Sequence, residues 1–331
     1  MSWRRVAQTA FVYGATVALV AYVALTTDVE RARQILGSTR LDLLALYTAL
    51  SAAAVLLYGS FVVRFALART GTKIGYGQLV RLEGLSYLPR FVNTGVGLAF
   101  IAWQIDKQKG QGFLRSLGTL VFLDVLNVFN LALLVTVASV LAAMGGQMTV
   151  DGWIFGVAVA VVVGVLLAPW YWRVESRIPL LRSLTGTSLF EALRAFRLRD
   201  YLTLSGLKLP LLLFEFWLDY LVARLFGLDI PFWAFASVYP IIVFAAALPV
   251  SVHGIGAIQV AARLMLIGFV AEGSAGADDW LASIDSFSTS ILFMGIAWRV
   301  VTGLLLSLLG GGYLLRQRSG RASADEAGHQ P

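Results

Sequence analysis

Apolar stretches of about twenty residues alternate along the chain with short polar ones, and that is the length an α-helix needs to cross a bilayer. Val6–Leu25 is the first such run, Leu41–Val63 the second, Thr119–Ala142 the third and Trp153–Pro169 the fourth. Tyr201–Phe226 is a fifth run, Phe232–Leu248 follows after a short Gly227–Pro231 turn, and Ile284–Leu315 closes the series. The first run is too long for a signal-peptide core and no small-residue cleavage site follows it, so it reads as a span.

Two segments depart from the pattern. Leu82–Trp103 is apolar but interrupted by Glu83, Pro89, Arg90, Asn93, Gly95 and Gly97. The second, Pro249–Gln259, contains Ser251, His253 and several glycines, and Ala261–Val270 continues it as helix. Broken backbone at membrane depth is tolerated only where it is buried in protein or lines a wet cavity. The expectation is an all-α polytopic membrane bundle of about seven to eight spans, with broken or re-entrant segments near residues 82–103 and 249–260. A single transmembrane domain then covers residues 1–318, and 319–331 form a polar, disordered cytoplasmic tail.

Charge sets the expected orientation. Arg64, Arg69, Lys73 and Arg81 cluster after the second run, and Lys107, Lys109 and Arg115 after the first broken segment. Cytoplasmic loops are enriched in Lys and Arg, so a hairpin that enters and returns to one face satisfies both clusters. The stretch Arg173–Arg199 is the most basic. Within it, Ser188–Leu198 reads equally well as an interfacial amphipathic helix or a plain linker. Glu272, Asp278, Asp279 and Asp285 read as an acidic outer loop, and Arg316, Arg318 and Arg321 lie inside. Both termini are expected in the cytoplasm and the chain in the inner membrane.

Composition narrows the chemistry. Of 331 residues, 58% are hydrophobic and only 14% charged, which leaves no room for a sizeable soluble domain. There is no cysteine and there are two histidines, His253 and His329, so thiolate chemistry and a His-built metal site are excluded. No cofactor or metal is expected. The net charge of +7 fits the positive-inside pattern and attraction to anionic lipid rather than nucleic-acid binding.

Ionisable residues inside spans are costly and rare, so they are candidates for function. Arg90, Lys208, Arg224, Arg263 and Arg299 qualify, matched by Glu83, Asp124, Glu215 and Asp219; Arg224 and Lys208 are near enough to span ends to snorkel. Asp124, Asn127 and Asn130 recur every third residue and form a polar stripe. Glu215 and Asp219, four apart, share a helix face. Such carboxylates serve either acid–base chemistry or, more often in membranes, the pairing of neighbouring cations. Polar breaks in both halves of a chain point to a midplane transport site.

The runs Phe226-Gly-Leu-Asp-Ile-Pro-Phe-Trp233 and Ala247-Leu-Pro-Val-Ser251-Val-His253-Gly-Ile-Gly-Ala-Ile-Gln259, with Ala297-Trp-Arg299 through Tyr313, resemble the lysylphosphatidylglycerol synthase transmembrane region, or flippase-like domain, family. Phe122-Leu-Asp124 falls where that family often has an Arg-Leu-x-Asp-like element. Gln259 stands near a position where the family commonly has an acid, and His253 replaces a usual glycine. The resemblance implies movement of an anionic phospholipid or polyprenyl-phosphate-linked lipid between leaflets. Headgroup contacts are then expected from Arg90, Asn93, Asp124, Asn127, Glu215, Asp219, Ser251, His253, Gln259, Arg263 and Arg299, with no catalytic residue. The alternatives are an intramembrane lipid-modifying transferase using Glu215 or Asp219 as base, and a lipid-presenting subunit. Membrane lipids are the expected partners; a separately encoded lipid-modifying enzyme or a second copy of the chain would be the protein partners. The aminoacyl-transfer domain of full synthases is not expected here.

Overall fold

The computed structural model describes residues 34–35, 37–92, 94–110, 112–147, 150–175, 194–247, 256–269 and 277–327. The first apolar run, Ser188–Leu193 of the amphipathic candidate and the second broken segment's Pro249–Ile255 therefore lie outside the described residues. Those described form nine helices and no strand.

Helix α1 runs Leu41–Arg69 and loosens to a π turn at Val55–Gly59. Tyr76–Val92 is α2, Thr94–Lys109 is α3, Phe113–Met144 is α4 and Gly152–Glu175 is α5. Leu198–Leu225 is α6, Phe232–Ala247 α7, Ala257–Leu266 α8 and Ala277–Ala327 α9. Four described stretches are long and apolar enough to cross a membrane: α1, α4, Gly152–Trp170 of α5 and Asp279–Leu306 of α9. The protein is a multi-pass membrane helix bundle. At 28 residues α6 is about 42 Å long, ample for a crossing. It is less apolar because it carries Lys208, Glu215 and Asp219, and those charges turn out to face a cavity.

Helix α5 packs mainly on α4 and leaves Val157, Val163 and Leu167 exposed between Trp153 and Trp170. The two tryptophans are exposed and separated by about 26 Å of helix, close to the bilayer's hydrocarbon thickness of about 30 Å. Tryptophan prefers the membrane interface at both ends of a span. This helix therefore reads as the lipid-facing edge of the bundle.

The first broken segment is two helices, α2 and α3, packed against each other between α9 and α4. They reach further at both ends than the apolar run alone indicated. Glycines set the approach of α2 to α9. A Cβ on Gly303 would lie 3.0 Å from Leu88 Cγ and 3.4 Å from the Gly84 carbonyl oxygen, and one on Gly84 would overlap Leu306. Only small residues permit backbones this close.

The acidic outer loop needs correction. Asp285 is buried inside α9, where its carboxylate pairs with Arg263 of α8. Asp278 and Asp279 stand in the first turn of α9, where acids favour helix initiation by offsetting the free N–H groups. An acidic helix start therefore resembled a loop. The helix consequently begins at Ala277, ahead of the Ile284 that hydropathy marked.

Candidate lipid-headgroup cavity

Seven helices enclose a cavity of about 330 Å³. At about 30 Å³ per liquid water it has room for roughly eleven waters, the scale of a small ligand pocket. The walls of α1 contribute Val55, Gly59, Val62 and Val63, so the π turn sits at the cavity. Such turns bulge the backbone and free a carbonyl; here the Tyr76 hydroxyl donates to the Leu57 carbonyl at 2.9 Å.

Charged side chains converge from four helices. Glu83 and Arg90 come from α2, Asp124 from α4, Lys208, Glu215 and Asp219 from α6, and Arg299 from α9. On α2, Glu83 and Arg90 are two helical turns apart on one face, and the guanidinium donates to the carboxylate at 2.8 Å. Glu83 is buried, and the Arg90 Nε is buried with no acceptor. Gly97 of α3 makes this placement possible. A Cβ there would overlap Arg90 Cγ and stand 3.0 Å from its Cδ.

Lys208 does not snorkel to a span end. Its Nζ donates to the Leu123 carbonyl at 2.9 Å, inside the bundle and next to Asp124. Asp124 and Glu215 line the same cavity as Lys208 and Arg299. Asp219 accepts a hydrogen bond from the Tyr239 hydroxyl of α7.

The polar stripe on α4 divides. Asp124 and Asn127 line the cavity. Asn130 is fully buried against α6, where its amide donates to the Ser205 carbonyl at 3.2 Å and its oxygen accepts from the Ser205 hydroxyl. Each step of three residues falls roughly 60° short of a full turn, so the third member has rotated off the cavity face and become a strut between helices.

Of the expected headgroup residues, Arg90, Asp124, Asn127, Glu215, Asp219 and Arg299 come together in the cavity. Gln259 and Arg263 do not line it. Gln259 is buried and accepts from the Gly256 N–H at 2.8 Å, closing the first turn of α8. Gly256 itself has φ +82°, a conformation that favours glycine. Arg263 forms a two-toothed pair with Asp285, holding α8 to α9. Asn93, Ser251 and His253 lie outside the described residues. Sequence reasoning missed Tyr239, which sits in the apolar run of α7 beside Pro240 with no polar neighbour to mark it.

The arrangement suits charge pairing. Its carboxylates face cations or a tyrosine hydroxyl, and among the described residues no group of histidines and acids could hold a metal. Comparison with curated proteins finds no match. The family model for the lysylphosphatidylglycerol synthase TM region matches residues 6–278, most of the chain. The protein therefore belongs to that family of lipid-related membrane domains.

Proposed function

We propose that the protein moves a lipid between the leaflets of the inner membrane by passing its anionic headgroup through the central cavity. The lipid is an anionic phospholipid or a polyprenyl-phosphate-linked lipid. The observation that carries this reading is the convergence of Arg90, Lys208 and Arg299 with four carboxylates in one cavity among apolar helices. A phosphate crossing hydrocarbon needs its charge met at every depth. Guanidinium groups meet it with paired, charge-assisted hydrogen bonds.

The carboxylates hold these cations in waiting. Glu83 keeps the Arg90 guanidinium paired until a phosphate arrives, so partner exchange replaces fresh desolvation of a charge. The unfilled Arg90 Nε is a donor available to that phosphate. Asp124 and Asn127 keep the path hydrated. The acyl chains remain in lipid along exposed apolar faces such as that of α5. The basic cytoplasmic segments gather anionic lipid near the cavity, at about 1 kcal/mol per Lys or Arg close to the surface. Both termini are then cytoplasmic.

The test is reconstitution in vesicles containing headgroup-labelled phosphatidylglycerol or phosphatidylcholine, with leaflet-resolved quenching and mass analysis of the recovered lipid. Faster, protein-dependent transfer of phosphatidylglycerol with unchanged mass is expected. A new lipid mass would replace this reading with that of a transferase, and no acceleration of either lipid would overturn it.

A further inference from the structure

The cavity holds four carboxylates and three cations among its described residues. Glu83 pairs with Arg90 at 2.8 Å, and Asp124 and Glu215 share the cavity with Lys208 and Arg299. The described carboxylates outnumber the cations by one, and Asp219 is the one held by a hydroxyl. It is one helical turn from Glu215 on the same face of α6, and its hydrogen-bond donor is the neutral Tyr239 hydroxyl. Described charged groups reach the cavity from α2 (Glu83, Arg90), α4 (Asp124) and α9 (Arg299), the α7 contribution is Tyr239, and α1 and α5 add none.

We propose that Asp219, with the Tyr239 hydroxyl, is a proton site, and that the cavity carries one proton together with each anionic headgroup. The inference rests on the translocation reading above. Among its described residues, the empty cavity carries one carboxylate more than it has cations. Loading a singly charged phosphodiester alone would double that excess in a low-dielectric setting, where uncompensated charge is most costly. Loading the phosphodiester with one proton leaves the cavity charge unchanged. The empty and loaded forms then cross between their two orientations with the same charge, and the lipid and proton move in the same direction.

The proton balance is simple. A proton from water on one side forms an O–H bond at Asp219 Oδ1, while Oδ2 continues to accept from Tyr239. On the other side that bond breaks, the proton returns to water, and the carboxylate is restored. Tyr239 keeps its own proton throughout and orients the carboxyl group. The phosphodiester neither gains nor loses a bond.

The test uses vesicles holding the full chain and labelled phosphatidylglycerol, with potassium and valinomycin setting the membrane potential to zero. A pH difference of one unit is then imposed. With one proton per lipid, the leaflet ratio should shift about tenfold toward the alkaline side. Over the same interval Asp219→Asn should shift it less than twofold. Transfer by the wild type that ignores the gradient would overturn proton coupling but leave translocation standing. Absence of transfer with and without a gradient would overturn translocation, and coupling with it. A second measurement needs no variant: dihexanoyl phosphatidylglycerol is added to the purified protein in weakly buffered detergent. Uptake of about one proton per bound lipid supports the proposal, and binding without uptake refutes it.

Discussion

Replacing Gly97 with alanine tests whether α3 holds Arg90 in the cavity. The new methyl would meet the root of the arginine side chain, overlapping Cγ and lying 3.1 Å from Cβ. Cβ is fixed by the backbone of α2, so a change of terminal rotamer gives no relief. Two responses remain. The helices part slightly, an overpacking cost of about 1–3 kcal/mol, or Arg90 swings away and leaves buried Glu83 unpaired, a loss of about 3–5 kcal/mol. The first is cheaper, so G97A should lose about 1–3 kcal/mol of stability. Removing the arginine stem beyond Cβ removes the overlap with Cγ and leaves only the 3.1 Å contact with Cβ. In an Arg90→Ala background, the same substitution should therefore cost less than it does in the wild type, because the two sites are coupled. Reversible denaturation in micelles of the wild type, both single variants and the double variant measures the coupling. Equal costs of G97A in the two backgrounds would refute the packing argument.

Three further outcomes follow from the interhelical contacts. Asn130→Ala should lower stability by about 1 kcal/mol, because it removes two intramembrane hydrogen bonds averaging about 0.6 kcal/mol each; lipid transfer at matched folded protein should be unchanged, since Asn130 points away from the cavity. Asp285→Asn takes the negative charge from beside Arg263 and should lower stability by up to about 3–5 kcal/mol, whereas removing both partners together should cost less than the sum; thermal unfolding of the three variants checks this. Gln259→Leu should lose about 0.5–2 kcal/mol as a cap is removed; the same unfolding assay measures it.

Much of the bundle was readable in the apolar periodicity, and the first broken segment in its proline, glycines and charges. The cavity was half legible, because a charge within an apolar run is conspicuous: Arg90, Asp124, Glu215, Asp219 and Arg299 all stood out that way. What they would face was not legible. Arg263 and Arg299 look alike in sequence, yet one is clasped by Asp285 and the other lines the cavity. Asp285 misled because it follows an acidic run, and a helix N-terminus tolerates acids as readily as a loop does. Asn130 misled because a three-residue repeat drifts around a helix. Tyr239 carries no local signal, since a hydroxyl in an apolar run is ordinary, and Gly97 was marked only as a break in the apolar pattern; their roles arise from what α6 and α2 bring against them.

The central claim is that cavity cations carry the headgroup. It is tested most directly by comparing phosphatidylglycerol transfer in vesicles for Arg299→Gln and Arg224→Gln at matched amounts of folded protein. Arg224 also belongs to a span but pairs with Asp229 at the exposed end of α6, away from the cavity. Loss of one charge-assisted phosphate contact, about 1.5–3 kcal/mol, predicts a fall of about tenfold or more for Arg299→Gln and an unchanged rate for Arg224→Gln. Equal rates for the two variants would contradict the account.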